Sequence, residues 1–97
     1  MKVKLPFMFR RVTGHSMIPF LPPGTWLVAS RYFKAKPGSV VVLNHDGRER
    51  VSRIEQIDND KVYVLGDHSP ASQDSRHFGW IPLESIRARV IWPLQRG

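Results

Sequence analysis

The sequence predicts a mainly β fold: a small antiparallel sheet curled into a partly open barrel, with one long functional loop and at most one short helical turn. Three observations carry that expectation. Short apolar and β-branched runs are separated by Pro-Gly, Asp-Gly and Asp-Asn-Asp turns, no segment sustains a helical period beyond about one turn, and the 97 residues, 41% of them hydrophobic, suffice for one core but not two. Residues 1–8 read as an N-terminal segment and 9–93 as the core of a single domain, with no repeat or linker.

Taken in order, Phe9 to Val12 reads as a short strand, and Pro22-Pro23-Gly24 forces a turn before a second strand over Trp26-Leu27-Val28-Ala29. Lys36-Pro37-Gly38 leads into Ser39 to Asn44, a mostly β-branched run suited to a strand buried on both faces. Asp46-Gly47 is a hairpin turn, and Arg48 to Ile57 returns from it with rough alternation. Val51 and Ile54 do not share one parity, which predicts a bulge. Asp58-Asn59-Asp60 turns into the strand Lys61 to Leu65, which ends at Gly66-Asp67. His68 to Gly79 has no apolar periodicity and reads as a loop, Pro82 to Ile86 as one helical turn starting at the proline, and Arg87 to Trp92 as a closing strand stopped by Pro93.

The formal charge of +7 and a pI near 10.6 allow attraction to nucleic acid, an anionic membrane face or an acidic partner. The basic residues are scattered from Lys2 to Arg89 without a dense block or a stacking platform, so nucleic acid is a minor expectation. Cysteine is absent, and His15, His45, His68 and His77 lack a paired H-x-x-x-H spacing, so no disulfide, metal or other cofactor is implied. No apolar run approaches the ~20 residues that cross a bilayer, and Pro6 and Arg10 cut the basic-then-apolar start short of a signal peptide. The expectation is a soluble, cytoplasmic chain, or a membrane-associated one if an anchor has been trimmed.

Two stretches carry chemistry. Thr13-Gly14-His15-Ser16-Met17-Ile18-Pro19 sets a serine where a strand gives way to irregular backbone, a position that fixes a hydroxyl and leaves it accessible. Alone, the pattern also suits a turn serine beside a core methionine. The second stretch, Gly66-Asp67-His68 through Asp74-Ser75-Arg76-His77-Phe78-Gly79, places a carboxylate two residues from a guanidinium. Alone, that is a surface ion pair of little energetic value.

Together the two stretches resemble the type I signal peptidase family of serine endopeptidases. Gly14 to Pro19 resembles its nucleophile box, Pro23 to Val28 the strand after it, and Lys36 to Val42 its Pro-Gly-acid strand with Ser39 in place of the acid. Gly66 to Gly79 resembles its last box, with His68 replacing the usual asparagine. The compact length is most similar to the small branch that includes nickel-type superoxide dismutase maturation proteases; self-cleaving repressors share G-x-S-M but lack the Asp-Ser-Arg loop.

The resemblance implies that Ser16 is a nucleophile forming an acyl-enzyme, with its own backbone N–H as an oxyanion donor. Gly14 stands where some relatives add a hydroxyl donor, Ser72 matches a serine that supports the general base, and Asp74 with Arg76 matches the pair that holds the loop. The partner implied is a peptide or precursor protein bound as an extended strand, with a membrane surface as a second candidate and no nucleic acid. The main departure is Ser52, in Val51-Ser52-Arg53-Ile54, where the family has a lysine base. Three explanations stay open: a deliberate replacement of lysine, a natural pseudoenzyme, or a different base such as Lys61 or a histidine. Arg53 stays charged and cannot serve. All of this requires that folding bring Ser16 alongside position 52, with the Asp74–Arg76 loop packed behind.

Overall fold

The computed structural model describes residues 5–94; the first part of the N-terminal segment expected at 1–8 lies outside the described residues. Strands β1 (Phe7–Arg11), β2 (Trp26–Ser30), β3 (Val40–His45), β4 (Arg48–Asp58), β5 (Lys61–Leu65), β6 (Ile81–Pro82) and β7 (Ile86–Trp92) form one seven-stranded sheet in the order β1-β2-β7-β3-β4-β5-β6. All pairings are antiparallel. The fold is mainly β as the sequence predicts, and the sheet is not closed: β1 and β6 are its two edges.

The run Val40-Val41-Val42-Leu43 is buried throughout, because β3 lies inside the sheet with apolar clusters on both faces. Val40 and Val42 join Met8, Val12, Met17, Leu21, Leu27, Ala29 and Ala88 on one side. Val41 and Leu43 join Ile54, Val62, Val64, Ile81 and Ile86 on the other. β-branched side chains alternate across a pleat, so a strand sandwiched this way shows no polar face.

The hairpin from β3 to β4 turns at Asp46 and Gly47, both at positive φ (51° and 72°), the geometry of a two-residue turn that matches strand twist. The expected bulge is present, but it lies between Ile54 and Gln56 in the pairing with β5. Glu55 is the extra residue, which lets Ile54 and Ile57 share the side chain environment of Val62 and Val64. The mismatch between Val51 and Ile54 has another origin: Val51 packs toward the first cluster and Ile54 belongs to the second.

The segment read as an irregular loop is partly helical. A 3-10 turn spans Ser69–Ala71, and a single α-turn, α1, spans Ser75–Phe78 with Asp74 as its N-cap. Neither is long enough to leave a periodic apolar pattern. The turn expected at Pro82 to Ile86 is a 3-10 turn at Leu83–Ser85, with Pro82 in β6 just before it. The first strand begins at Phe7 rather than Phe9 and ends before Val12. Among the described residues, no helix is long and apolar enough to cross a membrane.

Candidate active site

The two ladders of β4 overlap only at Arg53: Arg48 to Ser52 pair with β3 alone and Ile54 to Asp58 with β5 alone, so the first half of the strand presents a free edge on the side away from β3. Along this edge opens a cavity of about 410 Å³ lined by Gly14, Ser16, Ser52, Gly66 and Ser72 among others. Ser16 and Ser52 therefore meet in one space, although 36 positions separate them in the chain. Ser52 is buried in the strand opposite Val41, while Ser16 is half-buried in the segment that follows β1. Gly14 is exposed at φ 82°, a backbone conformation that a side chain would strain, and it turns the chain toward Ser16.

The end of β5 and the segment behind it press directly onto the Ser16 backbone. The His68 N–H donates to the Ser16 carbonyl at 2.8 Å. Ser72 Oγ donates to the His68 carbonyl at 2.7 Å and stands 3.4 Å from the Ser16 carbonyl; its single hydrogen goes to the shorter contact. Gly66 is enclosed: a Cβ there would strike Ser72 Oγ, lie 2.7 Å from Ser72 Cβ and 2.8 Å from the Ser16 carbonyl oxygen. Only glycine allows these three segments to close on one another.

Asp74 holds that segment. Its carboxylate is fully buried and accepts from the Gly66 N–H at 2.8 Å, the Arg76 N–H at 3.1 Å, and the Arg76 guanidinium through Nε at 3.0 Å and Nη2. Ser75 Oγ adds a buried acceptor for the Val64 N–H at 2.9 Å. The surface pair expected from sequence is thus half-interior, and its carboxylate would be costly to leave unpartnered. Burial pushes the Asp74 carboxyl up. The Arg76 hydrogen bond, the two backbone N–H groups and the Arg76 charge together outweigh that, and hold it below the usual carboxylate range.

Arg53 takes the face of β4 opposite Ser52. It forms a bidentate pair with Asp67, both contacts at 2.8 Å, donates to the Gly38 carbonyl at 3.0 Å and lies 5.7 Å over the Phe20 ring. Lys61, one of the candidate replacement bases, pairs with Asp58 and Pro82 at the opposite end of β5 and does not line the cavity. His15 does line it. Among the described residues, no group of three or more His, Cys, Asp or Glu side chains converges as a metal site would require. Sequence reading missed Gly66 as a packing requirement and missed Arg50, which lies on the same strand face as Ser52; strand parity was the available signal for Arg50.

The molecule is thus a small, open antiparallel sheet that sets a half-buried serine in a cavity backed by a pinned Asp-Ser-Arg turn. The family model described as "Signal peptidase, peptidase S26" matches residues 46–95, half of the chain, and the chain belongs to that family. The matched stretch contains Ser52, Ser72, Asp74 and Arg76; Gly14 and Ser16 precede it. A search of curated proteins found no match.

Proposed function

We propose that the chain is a signal-peptidase-type serine endopeptidase that removes an N-terminal leader or propeptide, akin to the small maturation-protease branch, with Ser16 as nucleophile. The observation that best supports this is the shared cavity of Ser16 and Ser52, with the Asp74 segment bonded to the Ser16 backbone through His68. In the reaction, Ser16 Oγ attacks the peptide carbonyl, its proton passes to a base, the C–N bond breaks with protonation of the leaving amine, and water hydrolyses the ester. The Ser16 N–H is the oxyanion donor; Gly14 brings no hydroxyl, so a second donor comes from backbone or water, and one such donor is worth about 10²–10³ in rate. Ser52 is no base for another serine near neutral pH. A lysine amine at this position, buried opposite Val41 in a cavity that already holds Arg10, Arg11, Arg48 and Arg50, would be pressed toward its neutral, proton-accepting form by burial and by like charge.

The substrate lies extended along the free edge of β4 between Arg48 and Ser52, where unpaired backbone groups offer strand addition. A membrane surface is supported separately by the row Phe9, Val28 and Trp92 across β1, β2 and β7, flanked by exposed Phe7 and Trp26. The missing base favours one alternative, a peptide-binding pseudoprotease.

A pooled library of leader-like peptides separates these readings. Ser52→Lys should raise cleavage by about 10³-fold or more over the present chain, and adding Ser16→Ala should abolish it. No gain from the lysine counts against the protease. Turnover by the unmodified chain that disappears on Ser16→Ala removes the pseudoprotease.

A further inference from the structure

The cavity that holds Ser16 and Ser52 is strongly cationic. Arg10, Arg11, Arg48 and Arg50 line it against one acidic side chain, Glu49. That carboxylate is already taken, since Arg10 grips it with Nε at 2.6 Å and Nη2 at 3.3 Å. Arg11 lies 5.9 Å over the exposed Trp26 ring, an arrangement that leaves its charge uncompensated. Arg50 is the most specific of the group. It lies 5.7 Å over the Phe78 ring, itself stacked on His45 at 4.1 Å, and its Nη1 reaches the Gln73 carbonyl only at 3.5 Å. Its Nε is buried without a hydrogen-bond partner.

The Arg50 guanidinium is under-satisfied and favours an incoming acceptor: its Nε is unpartnered but recessed, and its Nη2, neither bonded nor buried, is the donor a ligand can reach. Arg50 stands two positions before Ser52 on the same face of β4, roughly 6.7 Å along the strand. A peptide aligned on this free edge therefore passes the guanidinium about two residues from the point where its carbonyl meets Ser16. A carboxylate supplies two acceptor oxygens in the plane of the guanidinium fork, and the stacked Phe78 holds that fork in place. Phosphates of a nucleic acid fit less well, because the basic side chains elsewhere are scattered over the surface and form no row that would track a phosphate backbone.

We infer that the cavity selects peptides carrying an Asp or Glu side chain within about two residues of the bond presented to Ser16, with Arg50 as the specificity-determining contact and Arg48 and Arg11 reinforcing it. The inference rests on the peptide-binding reading above but not on turnover.

The test is therefore a binding measurement on the unmodified chain. The probes are fluorescein-labelled alanine-rich decapeptides in which one Asp is scanned through every position, each matched by a peptide with Asn in its place. Anisotropy at low salt should show the Asp peptide at least about tenfold tighter than its Asn twin at one or two adjacent positions. Arg50→Gln should erase that difference, with an unchanged urea unfolding midpoint certifying the fold of the variant. Equal binding of Asp and Asn peptides at all positions overturns the inference, as does a preference that survives Arg50→Gln. Tighter, Arg50-dependent binding of a twelve-residue oligothymidylate overturns it in favour of a nucleic-acid ligand. Failure of Ser52→Lys to cleave anything would remove the protease assignment and leave this result standing.

Discussion

The two segments that meet at the cavity are fastened in opposite ways. The Asp74 segment is tied through side chains: a buried carboxylate with four donors, a serine hydroxyl capping a strand N–H, and an arginine folded back on its own turn. The Ser16 segment is held without polar side chains, by the His68 N–H on its carbonyl and by the apolar Met17 and Leu21 buried in the core. One segment spends its polar groups on the fold, and the other keeps its hydroxyl available. That division suits the proposed role of Ser16, which needs a frame that does not move and a hydroxyl that is not engaged.

The comparison breaks first at Asp74. Asp74→Ala leaves the Gly66 N–H and the Arg76 guanidinium without their acceptor and should cost about 2–4 kcal/mol, whereas Ser16→Ala, whose hydroxyl has no structural duty, should change stability by less than about 0.5 kcal/mol. Urea unfolding of the two variants checks the contrast, and similar losses would refute it. Gly66→Ala probes the contact between the segments. Its methyl would collide with Ser72 and the Ser16 carbonyl, so a loss of about 1–3 kcal/mol is expected, together with weakened peptide binding. Binding that weakens with no loss of stability would mean the segments part locally instead of straining the whole fold.

The smallest effect is the acid limb. Asp74 has a folded pKa below its unfolded value of about 3.9, so its contribution is present in full above about pH 3.9 and is lost as the pH falls through the folded value. The unfolding midpoint of the native chain should decline below about pH 4, and Asp74→Asn should show a shallower decline over the same range. An identical decline would place the acid sensitivity on other carboxylates.

Much of the sheet is written locally. The valine run of β3 announces a strand covered on both faces, Asp46-Gly47 announces the hairpin, and β5 falls where its alternation puts it. The insertion of β7 between β2 and β3 is not legible, because that pairing joins distant segments and depends on the small Ala29 and Ala88 packing in one cluster. α1 escapes notice because a four-residue turn fixed by a cap carries no periodicity. At the site, the serines and the Asp74–Arg76 pair stand out by motif. The value of that pair does not, since the sequence gives no hint that Asp74 is fully enclosed. Arg50 is hidden for a related reason: its meaning comes from the half of β4 that β5 leaves uncovered.

The extra residue at Glu55 has a consequence for how this domain tolerates insertions and deletions. Pairing of β4 with β3 runs unbroken from His45–Arg48 to Val40–Arg53, and the slack is taken up only beyond Ile54. The distal hairpin around Asn59 can thus gain or lose length without rotating the stretch that carries position 52. The bulge works as a clutch, and it insulates the geometry of the cleft from drift at the far end of the molecule.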